Sequence, residues 1–328
     1  MTNDLALSVP FASWPPAIAS ASQEAWHAIL QFFAAEIRNP NTRRAYMRAA
    51  RDFFEFAAGR SGGNSLDSIS SLHISAWVEA MSRSGLSAPT IKQRLAAMRM
   101  LFQSLARERI VHINPASVVR GPKHVVKRGK TPVLTAEEAR QLLDSIDTDT
   151  LIGLRDRALI ATMVYSFARI GAVTALRIED LFTQGRRLWL RLHEKGGKRH
   201  EIPCHHTLDA YLVAYLEAAG LSDTPKAFVF QTFAREGERK AAARLLTGSP
   251  LPQANAWQML QRRAAAAGLD TAVCNHTFRA TGITTYLKNG GTLERAANMA
   301  NHSSTRTTQL YDRRPDDVTL DEVEKIQI

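Results

Sequence analysis

The sequence predicts a mainly α-helical protein of two domains with one small β-hairpin. A length of 328 residues suits two domains of ordinary size. Apolar residues recur at helical spacing in several alanine-rich segments, which favours helix over most of the chain. One Gly-Gly pair, at 196–197, lies between two segments that alternate apolar and polar residues, which indicates a hairpin. The hydrophobic fraction of 45% is that of an ordinary globular protein.

The formal net charge of +11 indicates a polyanionic partner, with nucleic acid ahead of an anionic membrane surface. No apolar run approaches the roughly 20 residues of a membrane span. The first 20 residues lack the basic start and apolar core of a signal peptide. Cys204 and Cys274 stand in unrelated contexts, so they form neither a disulfide framework nor a metal-ligand spacing. We therefore expect a cytoplasmic, nucleoid-associated protein.

The first part of the chain predicts a loose arm followed by a four-helix domain. Residues 1–22 are rich in proline, alanine and serine, as chain-terminal arms often are. Residues 23–120 predict the helical domain, with helices at about 23–37, 42–57, 74–82 and 90–108. The second and fourth helices each carry an apolar face at helical spacing. These apolar residues are Tyr46, Ala50, Phe53, Ala57, Ile91, Leu95, Met98, Leu101 and Phe102.

The same two helices carry many basic side chains on their other faces. A single arginine of this kind is more often a solvated surface residue than a ligand of DNA. Two basic helices in one small domain of a basic chain nevertheless favour contacts to DNA phosphates. Residues 121–133 predict a basic, flexible linker bounded by prolines. The residues that we predict to contact DNA are Arg43, Arg44, Arg48, Lys92, Arg94, Arg99, Lys127 and Arg128.

The second domain is predicted over residues 134–315. It opens with a capping-box pattern, Thr135 and Glu138, followed by an apolar helix that ends near Arg169. The hairpin follows, and then helices at about 208–219 and 253–267. The segment between those helices, 225–252, is less regular and reads equally as a loop facing DNA or as a solvated insert. Residues 316–328 predict a short amphipathic helix.

Residues 274–311 carry the chemistry. His276 and Arg279 are three residues apart, so they share one face of a helix. A Gly-Gly pair ends that helix, and Ser303 or Ser304 then caps a last helix that carries Tyr311. The segment thus offers a guanidinium, imidazoles and a phenol. Such a set suits a phosphodiester, which needs a nucleophile, donors for its oxygens and proton carriers.

The run His276-x-x-Arg279, followed by His302 and Tyr311, resembles the C-terminal signature of the tyrosine recombinases, the family of phage integrases, Xer and Cre proteins. The resemblance implies a DNA clamp made of a SAM-like helical core-binding domain and a tyrosine-recombinase catalytic domain. It also implies site-specific cutting and rejoining of double-stranded DNA through a 3′-phosphotyrosine, without a cofactor. The implied assembly is a homo-tetramer on DNA, with accessory proteins possible and no membrane partner.

The resemblance further implies a role for each site residue. The two arginines would bind the non-bridging phosphate oxygens, a lysine would protonate the leaving 5′ oxygen, and the tyrosine would attack phosphorus. One histidine would act as general acid and base, and the other would bind the phosphate or order the site. In the hairpin the family register selects Lys195, with Lys198 as the alternative. The implied catalytic residues are Arg169, Lys195, His276, Arg279, His302 and Tyr311.

The run around the first arginine, SFARIGAV, departs from the family pattern TGLRxSEL. Ala168 is taken to replace the glycine, and Ala172 stands where the family has an acidic residue that orients the site. How Arg169 is held is therefore open. Two alternative functions also remain open, namely a non-catalytic DNA-binding relative and a type-IB-like topoisomerase. A metal hydrolase built on His276 and His302 fits poorly, because no carboxylate cluster accompanies them. The C-terminal segment would dock either on a neighbouring protomer or on its own domain.

Overall fold

The computed structural model describes residues 14–126, 129–194, 197–234 and 246–313. The chain divides into two compact units, Met1–Val125 and Val126–Ile328, and the division falls within the predicted linker. Both units are mainly helical, and the second also contains antiparallel strands, which confirms the predicted fold class. In the described part of the chain, no helix is both long and apolar enough to cross a membrane.

The first unit is built from the four predicted helices and one further short helix. Polar caps begin several of them: the Ser22 side chain accepts from the N–H of Ala25, and Asn39 accepts from the N–H groups of Asn41 and Thr42. The helix Gln23–Gln31 continues into a π-helical turn, Phe32–Glu36. The helices are α1 (Pro16–Ala19), α2 (Gln23–Gln31), α3 (Pro40–Ala58), α4 (Ser71–Arg83) and α5 (Ala88–Arg107).

Aromatic side chains form the centre of the first unit. The Phe53 ring lies 5.2 Å from the ring of Trp77 and 6.2 Å from that of Phe102, both edge to face, so α3, α4 and α5 share one core. The core also includes Trp14 and Ile18, which are buried. The prediction of a loose arm is therefore wrong for residues 14–22, because burial of these two large apolar side chains offsets the entropy of ordering the segment. Residues 1–13 lie outside the described part.

The second unit alternates helices with two small antiparallel sheets. Strands β1, β2 and β3 form one sheet in that order, and β4 pairs with β5 in the segment that was predicted to be less regular. Residues 235–240 of that segment, a run of polar side chains in the sequence, lie outside the described part. The elements are α6 (Ala136–Asp144), α7 (Leu151–Ser166), α8 (Ile170–Ala175), β1 (Leu181–Gln184), β2 (Arg187–Glu194), β3 (Lys198–Pro203), α9 (His206–Ala219), β4 (Gln231–Phe233), β5 (Leu246–Pro250), α10 (Gln253–Ala266), α11 (Asn275–Lys288), α12 (Leu293–Met299) and α13 (Thr305–Gln309).

Local signals in the sequence set several of these boundaries. The Thr135 capping box is present, with the Thr135 N–H donating to Glu138 Oε2 at 2.8 Å and the Glu138 N–H donating to Thr135 Oγ1 at 3.1 Å. The predicted hairpin is β2–β3, in which Glu194 lies opposite Lys198. Thr292 caps α12, and Ser304, one of the two predicted candidates, caps α13.

The helix α7 is the buried axis of the second unit, and it packs against α9 and α11. Its approach to α11 depends on Gly282. A Cβ atom at this position would lie only 2.1 Å from the carbonyl oxygen of Val164, so only glycine lets the two helices come this close. This packing brings the C-terminal end of α7 beside the middle of α11.

Candidate active site

The Arg279 guanidinium is the centre of the candidate site. Arg279 lies one turn into α11 and is only 1% exposed. It donates to the carbonyl oxygen of Phe167, to the carbonyl oxygen of Ala300 at 2.5 Å and to Nε2 of His302 at 2.7 Å. One buried side chain therefore ties together α11, the turn between α7 and α8, and the segment after α12.

The turn between α7 and α8 presents its carbonyl group to Arg279 because Phe167 is left-handed, with φ of 53°. In the family pattern the glycine stands two residues before the arginine, so it aligns with Phe167. The assignment of the replaced glycine to Ala168 is therefore wrong. A left-handed phenylalanine is unfavourable by itself. Burial of the Phe167 ring beside Tyr286, with ring centres 6.0 Å apart, stabilises it here.

Arg169 follows directly on this turn, at the N-cap position of α8. Its side chain is 33% exposed, and Nη1 lies 2.5 Å from Oε2 of Glu194, whose side chain is 4% exposed. Glu194 is the last residue of β2. Ala172, the position at which the family pattern has its acid, is buried in the apolar core. Arg169 thus has a carboxylate partner, but the partner comes from the hairpin and not from α8.

His302 is held in one orientation and one tautomer. Its Nε2 faces an Arg279 nitrogen, which can only donate, so Nε2 accepts. Nδ1 then carries the proton and donates to Thr308 Oγ1 at 2.8 Å. Burial, followed by the nearby Arg279 and Arg169 cations, lowers the pKa of His302 to about 4. The imidazole is therefore neutral at pH 7. Its bond to Arg279 suits one of the two roles predicted for this histidine, that of ordering the site.

Tyr311 lies just beyond α13, which ends at Gln309, so the prediction that a helix carries it is wrong by two residues. Its ring stacks on that of His302, with centres 5.9 Å apart and planes 11° from parallel. Thr284 Oγ1 donates to the Tyr311 carbonyl oxygen at 2.8 Å. The Tyr311 phenol also interacts with the Arg279 guanidinium. These contacts place the predicted nucleophile beside the predicted phosphate-binding group.

Hydrogen bonds to residues 129–131 hold the segment that carries Tyr311. The Gly129 N–H donates to the Leu310 carbonyl oxygen at 2.9 Å, and Arg313 donates to the carbonyl oxygens of Gly129 and Thr131. A Cβ atom at Gly129 would lie 2.4 Å from the Leu310 oxygen, so this approach needs glycine. The end of the predicted linker therefore bonds directly to the segment that carries Tyr311.

His276 lies at the exposed rim of the site, in the first turn of α11. Partial desolvation, followed by the Arg279 and Arg169 cations, lowers its pKa below the ordinary value of 6.5. The imidazole is therefore mainly neutral at pH 7 and can accept a proton. Its position at the rim, next to solvent, suits a group that exchanges protons during a reaction.

The two cations of the site also act on each other. Burial, and then the Arg169 charge, lower the pKa of Arg279 to about 10, whereas Glu194 and Tyr311 oppose this shift. Arg279 remains charged at pH 7. The site therefore concentrates positive charge with one buried carboxylate, an arrangement suited to a phosphate group.

Lys195 lies outside the described residues, so its role stays a prediction. Its neighbour Glu194 ends β2, and Lys198 begins β3 on the opposite strand. Lys195 follows Glu194 directly in the sequence, and Glu194 lies at the site.

The predicted DNA-contact residues divide into two groups. Arg44, Arg48 and Lys92 are exposed on α3 and α5, although Arg44 also donates to Asn41 Oδ1 at 2.5 Å. The other described residues of the set make internal bonds: Arg43 donates to the carbonyl oxygens of Ala34 and Ile37, Arg94 pairs with Asp52 at 2.9 Å, and Arg99 donates to the carbonyl oxygens of Ala116 and Val119. Lys127 and Arg128 lie outside the described residues.

The sequence did not predict several residues of the site, among them Phe167, Thr308 and Glu194. Phe167 and Thr308 act through backbone conformation and a single hydroxyl group, for which the sequence carries no distinctive signal. Glu194 carried a signal that was not used: it is the acidic residue directly before the hairpin lysine, at the end of an alternating strand. A charged residue at the inward-facing end of such a strand indicates a buried partner.

Comparison with known proteins agrees with this geometry. The model of the phage integrase family matches residues 132–317, which is more than half of the chain, and the model of the phage integrase N-terminal SAM-like domain matches residues 31–109. Tyrosine recombinase XerD of Mycobacterium tuberculosis is 30% identical over 287 residues, covering 83% of this chain and 86% of the relative. Tyrosine recombinase XerD of Listeria monocytogenes is 26% identical over 275 residues, covering 83% and 87%.

Two solved structures with a similar fold are complexes with DNA. The XerH site-specific recombinase bound to its palindromic difH substrate, in a post-cleavage complex, superposes with a TM-score of 0.69 at 20% identity, covering 94% of this chain and 85% of that one. A lambda integrase tetramer bound to a Holliday junction gives a TM-score of 0.62 at 18% identity, covering 90% and 80%. From the family model, the curated relatives and the convergence of the signature residues, the chain belongs to the phage integrase family of tyrosine recombinases.

Proposed function

We propose that this chain is a site-specific DNA recombinase that cuts and rejoins DNA through a 3′-phosphotyrosine on Tyr311. The observation that carries the proposal is the bonding of Arg279. This single guanidinium donates to the turn that leads to Arg169 and to Nε2 of His302. It also interacts with the Tyr311 phenol. Groups from four separate segments of the chain therefore meet where one phosphodiester would bind.

The charges of the site account for the chemistry. Arg169 and Arg279 offset the negative charge that grows on the non-bridging oxygens as the Tyr311 oxygen bonds to phosphorus. The phenolic proton passes to neutral His276, and the P–O5′ bond breaks. Lys195, as the family resemblance implies, returns a proton to the 5′ oxygen. The phosphotyrosine retains the energy of the phosphodiester, so a 5′-hydroxyl of a second strand can reverse these steps and reseal the DNA.

The proposed partners follow from the relatives. XerH and lambda integrase are seen with DNA, and lambda integrase is seen as a tetramer on a Holliday junction. We extend both features to this chain: its substrate is double-stranded DNA, its synaptic form is a homo-tetramer, and its work is done at the nucleoid. Accessory proteins would assist the choice of site.

The second unit also offers a place for the C-terminal segment. An apolar groove of about 900 Å³ lies between α6, the end of α7 and α11. Its lining includes Leu143, Tyr165 and Met299. Residues 316–328 carry apolar residues at spaced positions and start three residues after the described chain ends. We propose that this segment fills the groove of its own or a neighbouring protomer.

The test of the proposed function is covalent attachment. The purified protein is incubated with a nicked duplex taken from the DNA that flanks its gene, and adducts are resolved on a denaturing gel. We expect an adduct with the wild type and with Tyr286→Phe, a matched tyrosine of α11, and none with Tyr311→Phe, which should still bind DNA. Equal attachment by Tyr311→Phe would exclude this nucleophile.

A second assay separates the alternatives. A type-IB-like topoisomerase would relax supercoiled plasmid of any sequence without pairing two sites, whereas a recombinase would give exchange products between two copies of its site. A non-catalytic relative would bind the site and form neither adduct nor product.

A further inference from the structure

We infer that Glu194 is a positioning residue for the cleavage reaction and that it orients Arg169 in place of the carboxylate that α8 lacks at Ala172. The inference rests on the proposed function. It assigns to the end of strand β2 a task that the sequence left open, namely how the first arginine is held. Its basis is the ion pair between Arg169 Nη1 and Glu194 Oε2 at 2.5 Å.

The Arg169–Glu194 pair differs from an ordinary surface ion pair. Another arginine–glutamate pair on the same sheet, Arg191 with Glu201, has side chains that are 34% and 46% exposed. Glu194, by contrast, is 4% exposed. A buried carboxylate loses most of its hydration and must be paired with a cation to remain ionised. Glu194 therefore holds Arg169 firmly, whereas exposed pairs of the other kind contribute little.

The geometry leaves Arg169 free to bind a phosphate. The contact to Glu194 uses Nη1, and a guanidinium has five N–H donors. One third of the side chain remains open to solvent. Held on one edge by the buried carboxylate, the group can present its other edge to an incoming oxyanion.

The charge of Glu194 also permits two guanidinium groups in one site. Arg169 and Arg279 repel each other, and Arg169 lowers the pKa of Arg279 while Glu194 raises it. Without the carboxylate, the partly exposed Arg169 side chain would move towards solvent, since Arg279 is fixed by buried backbone carbonyls. Glu194 thus keeps Arg169, the less buried member of the pair, in place before DNA binds.

The position of Glu194 in the chain adds a second consequence. It is the last residue of β2 and pairs across the hairpin with Lys198, directly before the connection that contains Lys195. Arg169 is therefore anchored to the same strand end that leads into the predicted catalytic lysine.

A double-mutant cycle tests the inference. Single-turnover adduct formation at saturating DNA is measured for the wild type, Glu194→Gln, Arg169→Ala and the double variant, with Glu201→Gln as the matched control. Glu194→Gln keeps the shape of the side chain but removes its charge. We expect its cleavage rate to fall by up to about 100-fold, the scale of a small misplacement of a reacting group. The control should stay within about twofold, as expected of an exposed pair.

The cycle distinguishes positioning from general stability. If Glu194 acts through Arg169, adding Glu194→Gln to Arg169→Ala should slow cleavage by less than about threefold, because the group that it positions is already gone. Glu194→Asp, which restores the charge on a shorter chain, should recover part of the lost rate. Melting temperature and DNA affinity of Glu194→Gln are measured in parallel, and we expect both to change little compared with the rate.

Each outcome has a separate meaning. A wild type that forms no adduct contradicts the proposed function itself. A wild type that forms adduct with an unaffected Glu194→Gln variant overturns the positioning role alone. Rate losses that multiply in the double variant, or that follow the melting temperature, would assign Glu194 to folding and likewise overturn the inference.

Discussion

The two units of this recombinase use arginine in different ways. In the catalytic unit, two arginines from distant segments converge, and each is fixed by identified partners: Arg279 by backbone carbonyls and His302, Arg169 by a buried carboxylate. In the helical unit, the basic residues spread over α3 and α5. Some of them, including Arg99, donate to backbone carbonyl groups of the same unit, and others, including Arg48, are exposed.

The difference shows what an arginine needs to become part of a site. A guanidinium positioned for chemistry requires a rigid frame, since small displacements change the rate strongly. A guanidinium that contacts DNA phosphate requires only exposure on the correct face, because the attraction is long-ranged and independent of sequence. An arginine that ties down a loop has fewer donors left for either task. Fixed partners, and not charge alone, therefore separate the two units.

The largest effect is expected from Arg279→Lys. Lysine keeps the positive charge but cannot make the planar set of bonds to Phe167, Ala300 and His302. We expect the single-turnover cleavage rate to fall by about 100-fold or more, the effect of losing one oxyanion donor. The free energy of unfolding should also fall by roughly 1–3 kcal/mol, because buried carbonyl groups lose their donor. Adduct assays and denaturant titrations measure the two quantities.

Arg191→Lys is the control for this change, since Arg191 lies on the hairpin in an exposed pair. Both quantities should be nearly unchanged there. An Arg279→Lys enzyme that cleaved at the wild-type rate would show that charge is sufficient in the catalytic unit, which would remove the contrast between the units.

The helical unit is tested by comparing Arg99→Ala with Lys92→Ala on the same helix. Arg99 donates to the carbonyl oxygens of Ala116 and Val119, so its loss should lower the free energy of unfolding of the unit by roughly 1–3 kcal/mol. Lys92 is exposed, so its loss should leave stability unchanged and weaken DNA binding. The slope of log affinity against log salt should decrease by about one for Lys92→Ala.

The opposite pattern would contradict the division of the basic residues. If Arg99→Ala altered the salt slope at unchanged stability, the bonds to the 114–119 segment would be incidental and Arg99 would belong with the DNA-contact residues. Salt titrations of binding and thermal unfolding of both variants separate these results.

These contrasts also explain which predictions from the sequence succeeded. His276, Arg279, His302 and Tyr311 lie within 36 residues, and local caps and a Gly-Gly stop fix the helices that hold them, so spacing sufficed to bring them together. Glu194 is 25 residues from Arg169, on a different type of element, and no local rule links the two. The prediction of a loose arm was wrong for residues 14–22 because composition indicates loops but does not show that Trp14 packs into the core of the first unit.

The DNA contacts predicted for the arginines of the helical unit stay a prediction for a related reason. Helical periodicity shows which face is polar, and it correctly placed the apolar residues of α3 and α5 in the core. It does not show whether a polar face meets solvent or another segment. Arg99 meets the segment that follows α5, a contact that depends on the path of the chain after the helix.

The smallest expected effect is the pH dependence of stability that His302 contributes, which depends on the two arginines of the catalytic unit. The pKa of His302 is lowered from 6.5 to about 4, by burial and then by Arg279 and Arg169. Above pH 6.5 the imidazole is neutral in both the folded and the unfolded chain, so it does not make the free energy of unfolding depend on pH there. Between about 6.5 and 4 the unfolded chain binds a proton that the folded chain excludes, so the free energy of unfolding falls as the pH falls.

The role of the cations in this shift can be measured directly. NMR titration of the His302 imidazole should give a pKa near 4 in the wild type, and Arg169→Ala should raise it because one neighbouring charge is removed. Arg48→Ala, in the helical unit, should leave it unchanged. If Arg169→Ala also left it unchanged, burial and Arg279 would depress the pKa without a contribution from Arg169. The two arginines would then not act as one positive cluster on His302.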